Sequence, residues 1–301
     1  MERLMDQVHT LLSGRKFESI DEMNAFLQEQ LKDGPLKPSR RAQAGSTDPR
    51  RRAQELCWDA MDAPTEAAAR RLYKQALALD PDCTSALVFK AGEAKLPGQA
   101  IAILERAVGT AAERLGGAAF FSKNRGHFWM IQDTRPYMLA KAALADACAE
   151  DGRMFDCVSH YEEMLELCPN DNQGVRYQLL GRYLRMGEQH RAALLLEKYK
   201  NEISTIFLYA RVLLLVMSQN EAKAGKLLKH ARAANPYVFE YLTGRSENPP
   251  RAEAVYSAGD ESEAAFCLEC LHEAYLYNPV AVMWMMEQGG RGSRRGPSLV
   301  E

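Results

Sequence analysis

Apolar positions recur along this chain every three to four residues, the period of helices that turn one face inward. Alternating β-branched runs, the mark of strands, are almost absent. The pattern predicts an all-α chain. Its first helix is expected in "FESIDEMNAFLQEQL" (17–31), where Ser19 and Glu22 stand in capping-box spacing ahead of an amphipathic run. The period then lapses. "KDGPLKPSRRAQAGSTDPRRR" (32–52) is rich in Pro, Gly and Arg, and reads as a linker. The expected organisation is an amino-terminal helical segment over 1–31, a linker over 32–49, helical hairpins over 50–288 and a disordered tail over 289–301.

Within the hairpin block one cadence returns: a small residue, a large apolar one four later, a contact residue three later, and Pro five after that. It occurs at Ala69/Tyr73/Ala76/Pro81, Cys157/Tyr161/Met164/Pro169, Ala224/Leu228/Ala231/Pro236 and Cys267/Leu271/Ala274/Pro279. A fifth copy at Ala100/Leu104/Ala107 lacks the Pro, and a sixth is centred on Leu180 and Gly181. The cadence resembles the second helix of a tetratricopeptide repeat, a helix–turn–helix unit of about 34 residues. The small residue admits a neighbouring helix, the large one fills the gap between units, and Pro ends the helix. Six such units, near 50–83, 82–115, 138–171, 174–203, 205–236 and 248–279, predict a solenoid with one continuous core.

Bulk chemistry narrows the function. Net charge is −2, so no global field draws the protein to nucleic acid or an anionic membrane. The most apolar run, "FLYARVLLLVM" (207–217), is interrupted by Arg211 and is far too short to span a bilayer. "MERLMDQVHT" lacks the apolar run of a signal peptide, and seven scattered cysteines point to reduced thiols; a cytoplasmic protein is expected.

Three stretches could carry chemistry. "GHFWMIQDTRPYM" (126–138) breaks the repeat register with His127, Trp129, Asp133, Arg135 and Tyr137 in close succession. His127 could serve as a base oriented by Asp133, yet no nucleophile is placed beside them by any motif. The stretch therefore reads as a structural hinge: the aromatics pack, His127 and Asp133 hydrogen-bond, Arg135 pairs with a carboxylate, and Pro136 starts the next helix. "PNDNQGVRY" (169–177) offers Asp171 and Asn172 as oxygen ligands without the acidic ladder of a calcium loop, which favours helix capping. "CLECLH" (267–272) is the best metal candidate, with Cys267, Cys270 and His272, but it lacks a fourth ligand and Cys267 fills a repeat slot. "GDESEA" (259–264) reads as a helix start capped by Asp260. The arginines at 40–41 and 50–52 lack interleaved aromatics and read as a solvated linker rather than a nucleic-acid surface.

Several strings together resemble one bacterial family. They are "FESIDEMNAFL" (17–27), "GHFW" (126–129), "TRPYM" (134–138), "PNDNQGVRYQLL" (169–180), "NPYVFEYLTG" (235–244) and "GDESEA" (259–264). The chain is similar over most of 17–285 to bacterial tetratricopeptide-repeat proteins related to the suppression-of-tumorigenicity-7 proteins. It departs from them before "GDE", where "SENPPRAEAVYSA" stands for a Pro/Tyr-rich stretch, and it lacks the membrane segments of the eukaryotic relatives. The repeat resemblance implies that leading helices line a concave groove, which would hold Trp58, Gln178, Arg182, Arg185 and Tyr209. Arg182 and Arg185, nearly a turn apart, could hold an acidic group of a partner. The expected function is a non-enzymatic scaffold or adaptor that binds a protein or peptide, with no cofactor, metal or membrane. Two other classes stay open on residues alone: a hydrolase or metal-dependent enzyme built on His127 and Asp133, and a nucleic-acid-associated regulator using the linker arginines.

Overall fold

The computed structural model describes residues 8, 11–12, 15, 17–32, 48–252 and 255–291. Among them the chain forms fifteen α-helices and no strand, with helices packing on their neighbours in sequence. None of these helices is long and apolar enough to cross a membrane. Most of the expected linker (33–47) and most of the expected tail (292–301) lie outside the described residues. The ends of both segments shift. Pro49 already belongs to a helix capped by Asp48, so Arg50, Arg51 and Arg52 are helical, and the last helix runs to Arg291.

The chain divides into two compact units, Met1–Asn172 and Gln173–Glu301. In the first, α1 (Ile20–Leu31) starts as its sequence predicts, with the Glu22 amide donating to Ser19 Oγ at 3.1 Å. The carboxylate of Glu22 accepts from the Glu18 amide at 2.7 Å, one residue before the usual partner. Three helix pairs follow. α2 (Pro49–Met61) packs on α3 (Glu66–Leu79), α4 (Thr84–Gly92) on α5 (Pro97–Leu115), and α7 (Arg135–Glu150) on α8 (Met154–Leu167). Between the second and third pairs stand α6 (Gly117–Asn124) and two single 3₁₀ turns, Phe128–Met130 and Gln132–Thr134. Pro49, Pro97 and Pro136 each sit in a first helical turn, where a missing amide costs nothing. Gly116 at φ 108° lets the chain turn sharply from α5 into α6.

The second unit contains α9 (Val175–Arg185), α10 (Gln189–Lys198), α11 (Thr205–Met217), α12 (Glu221–Ala234), α13 (Pro236–Leu242), α14 (Glu261–Leu276) and α15 (Pro279–Arg291). The repeat cadence marks buried positions in both units. Tyr73, Ala76, Leu104, Ala107, Cys157, Tyr161, Met164, Ala224, Leu228, Ala231, Cys267, Leu271 and Ala274 are all buried. Ala69 and Ala100 are half-buried. Gly181 lies so near α14 that an added Cβ would overlap the Cys270 carbonyl.

The sixth expected hairpin needs correction. Among the described residues of 248–260 there is no helix; the short α13 stands ahead of the long connection that leads to α14. Pro249 and Pro250 have no amide to give a helix, which makes this stretch a poor one. A buried polar network fastens the end of that connection instead. Asn235 Nδ2 donates to the Asp260 carbonyl at 2.8 Å and to Glu263 Oε2 at 3.0 Å, and the Gly259 amide donates to the same oxygen at 2.8 Å. Asp260 caps α14 as its sequence predicts, accepting from the amides of Ser262 and Glu263. Asn235 and Glu263 are both buried. Asn235→Ala is therefore expected to cost about 1–2 kcal/mol, because it strips a buried carboxylate of a donor; urea unfolding followed by circular dichroism measures it.

Candidate functional site

A cavity of about 500 Å³ lies within the first unit. Three leading helices reach it: α2 through Asp48, Arg50 and Gln54, α4 through Thr84, and α7 through Pro136 and Tyr137. The turn from α3 to α4 adds Asp80 and Cys83, the end of α5 adds Arg114, and the 3₁₀ segment adds Ile131 and Asp133.

The α3–α4 turn is built from "DPDC". Asp80 closes α3 and Pro81 forbids another helical turn. Arg114 then grips Asp80 bidentately, with both nitrogen–oxygen distances at 2.8 Å, while Nη1 also donates to the Asp82 carbonyl at 3.0 Å. Arg106 holds the Asp82 carboxylate at 2.9 Å. The hydrogen bonds from Arg114 keep the Asp80 carboxyl below its usual range against the opposing cost of burial. Stabilisation from a depressed carboxylate is complete above the unfolded value of about 3.9, and is lost as pH falls through the folded one. Arg114→Met is thus expected to start acid unfolding at a higher pH than the parent, which a pH titration by circular dichroism reads directly.

Two aromatic rings, Phe120 and Tyr137, also line the cavity, and they pack with Phe121 and Phe128. Phe121 lies 4.8 Å from Phe128 and 5.0 Å from Tyr137 between ring centroids, and Phe120 lies 6.0 Å from Phe128. Thr134 Oγ1 donates to the Phe128 and Ile131 carbonyls and ties the two 3₁₀ turns together. Burial pushes the Tyr137 phenol up, so it stays protonated. The cavity thus sets a matched Asp–Arg pair, the exposed charges of Arg50 and Asp133, and an apolar aromatic floor around one space. Among the described residues no histidine lines it.

The residues expected to act as a hinge divide. Tyr137 is buried and belongs to the aromatic wall; Trp129 is half-buried under Arg135, whose guanidinium lies 5.2 Å from the ring centroid and whose Nε donates to the Trp129 carbonyl at 3.2 Å. His127 and Asp133 are corrected. Both side chains are exposed, and among the described residues no hydrogen bond joins them. His127 contributes only through its backbone, its amide donating to the Asn124 carbonyl and its own carbonyl accepting from Met130. Phe128 and Thr134 fasten this stretch, through ring packing and through the Thr134 hydroxyl.

The expected groove set is corrected as well. Tyr209 is fully buried and donates to the Asn235 carbonyl at 3.0 Å, so it lines no open surface. Gln178, Arg182 and Arg185 face α14, which covers that side of α9. Gln178 reaches Glu269 at 3.5 Å, Arg182 pairs with Glu273 at 2.7 Å, and Arg185 lies 3.5 Å from the same carboxylate and 4.7 Å from the Tyr277 ring. Their charge is spent inside the unit. Trp58 is half-buried with Arg51 over its ring at 5.9 Å.

The metal candidate disperses. Cys267 and Cys270 are buried on α14 while His272 is exposed, and among the described residues no cluster of three or more potential ligands occurs. A helix turns about 100° per residue, so consecutive near neighbours leave the same face. Ahead of α9 stands Gly174 at φ 72°.

No protein-family model matches the chain, and none of the curated proteins does. Its chemistry rests on its own residues.

Sequence reasoning missed Asp80, Cys83 and Arg114, whose only local sign is a polar turn after a helix-ending Pro. It also missed Lys141, a lysine whose side chain is 4% exposed, set 2.6 Å from Glu163 and 3.4 Å from His160 Nδ1. Burial, with help from Lys141, lowers the His160 pKa and favours its neutral ring. The available signal was position: Lys141 stands one turn beyond Tyr137 on the inward face of α7.

Proposed function

We propose that this chain is a tetratricopeptide-type solenoid working as a non-enzymatic scaffold, and that it binds a peptide segment of a protein partner in the cavity of its first unit. One observation carries the reading: the leading helices of three successive hairpins converge on a single space that holds both exposed charge and an aromatic floor. Peptide sites commonly combine a few fixed polar anchors with an apolar pocket. The burial of the repeated small–large–small positions supports the repeat assignment, and kinship with the bacterial tetratricopeptide proteins of the suppression-of-tumorigenicity-7 group belongs to the same proposal, as does a cytoplasmic setting. Arg50 and Asp133 replace Arg182 and Arg185 as the residues offered to the partner, because they are exposed at the cavity.

A displayed peptide library panned on the full chain tests this. Selected peptides are expected to lose affinity roughly tenfold or more on Arg50→Glu or Asp133→Lys, a change above about 1.4 kcal/mol. Equal binding by parent and both variants would move the site elsewhere. A hydrolytic turnover that disappears with Asp133→Asn would replace the scaffold reading with an enzyme.

A further inference from the structure

All seven cysteines are buried free thiols, and two of them meet. Cys57, on the inner face of α2, and Cys83, at the cap of α4, bring their sulfurs within 3.6 Å although 26 residues separate them in sequence. Cys83 also lines the cavity, whereas Cys57 does not; both belong to the small core shared by α2, α3 and α4. Of the two, Cys83 is the one that a small solute in the cavity would approach. We propose that Cys57 and Cys83 are a modification site for peroxide, with Cys83 as the attacked thiol and Cys57 as the resolving one, closing to an intramolecular disulfide.

The geometry assigns the roles. Cys83 borders the cavity and Cys57 does not; the contact with Cys57 holds the Cys83 pKa below its usual value, helped by the Ala86 amide at the start of α4 and by Arg114, and opposed by burial and Asp80. The same contact, with burial, pushes Cys57 up and keeps its proton on. Thiolate character selects the attacking sulfur. The Cys83 thiolate attacks one peroxide oxygen and the O–O bond breaks; the expelled hydroxide takes a proton and leaves as water, giving a sulfenic acid on Cys83. The Cys57 sulfur then attacks the Cys83 sulfur. The S–S bond forms, the S–O bond breaks, and the hydroxide leaves with the Cys57 proton as a second water. Two thiols and one hydrogen peroxide become one disulfide and two waters. Closing from 3.6 Å to a bond of about 2.0 Å asks for side-chain rotation at Cys83, which stands in extended backbone just outside α4.

The test uses the reduced full chain and graded hydrogen peroxide, followed by alkylation of free thiols in denaturant and peptide mass mapping. The expected result is a peptide linking Cys57 to Cys83, about 2 Da lighter than its two halves together and reversed by dithiothreitol. It should form before Cys148, Cys157, Cys168, Cys267 or Cys270 is lost. Met130, 75% exposed, reports in the same digest that the oxidant dose was sufficient. Cys57→Ala should leave Cys83 trapped as sulfenic or sulfinic acid, and Cys83→Ala should leave Cys57 fully alkylatable. Oxidation of Met130 while Cys57 and Cys83 both remain alkylatable in the parent chain would overturn the proposal, and that reading needs no variant to fold. Loss of Cys57 in the Cys83→Ala chain at the parental rate would overturn the assigned roles.

Discussion

Phe128→Ala is expected to cost about 3–5 kcal/mol of unfolding free energy, whereas His127→Ala, one residue earlier, stays within about 0.5 kcal/mol of the parent. Phe128 is fully buried, and its ring is met by Phe120, Phe121 and Tyr137 from α6 and α7. Truncation opens a void among rings that α6, α7 and the 3₁₀ turns hold in place, so the neighbours relax only partly. His127 is exposed, and its bonds to Asn124 and Met130 are backbone bonds that alanine makes equally well. Equilibrium urea unfolding of both variants, followed by circular dichroism, gives the two differences. Similar losses for the two would mean that the imidazole carries weight in the hinge after all, and would return the stretch "GHFWMIQDTRPYM" to the hydrogen-bonded reading of its histidine.

Gly181→Ala is expected to destabilise the protein by at least about 2 kcal/mol, and its sign is more telling than its size. In a free helix interior the same substitution stabilises by nearly 1 kcal/mol, because glycine pays the larger entropy on ordering. Here the new methyl would overlap the Cys270 carbonyl oxygen and come within 3.1 Å of its carbon. That neighbour is backbone within α14, so no rotamer change can relieve the contact; α9 and α14 must separate, and the pairs of Arg182 and Arg185 with Glu273 loosen with them. Gly109 in α5 supplies the comparison. It has open space around its Cα, so Gly109→Ala is expected to stabilise by about 0.5–1 kcal/mol. Thermal unfolding of the two variants side by side checks opposite shifts in Tm. A stabilising Gly181→Ala would show that the two helices do not approach at this residue.

Much of the secondary structure is legible because its causes are local. Ser19, Asp260 and the helix-starting prolines act on backbone groups two to four residues away, and the small–large–small cadence records which face of a helix turns inward. Observed helix pairs over 49–79, 84–115, 135–167, 175–198 and 205–234 accordingly lie close to the hairpins expected from that cadence. The 248–279 unit failed because the cadence at Cys267, Leu271 and Ala274 describes α14 alone and says nothing of the segment ahead of it.

The candidate sites were far less legible, for a physical reason visible in individual residues. Periodicity tells which face of α9 is covered least by its own hairpin, but not that α14, about 90 positions later, packs there and takes the charge of Arg182 and Arg185. No local rule sets Arg114 against Asp80 or Cys57 against Cys83, whose separations of 34 and 26 residues are bridged only when helices stack. By itself, the sequence determined most helix starts and the inward face marked by the cadence, since those depend on backbone groups and neighbours within a turn. Tertiary structure alone decided which buried faces meet, because apolar burial is non-directional and a helix face can be covered by any partner of suitable shape. The partner chosen is what turns a polar turn into a clamped cavity wall and two distant cysteines into a pair.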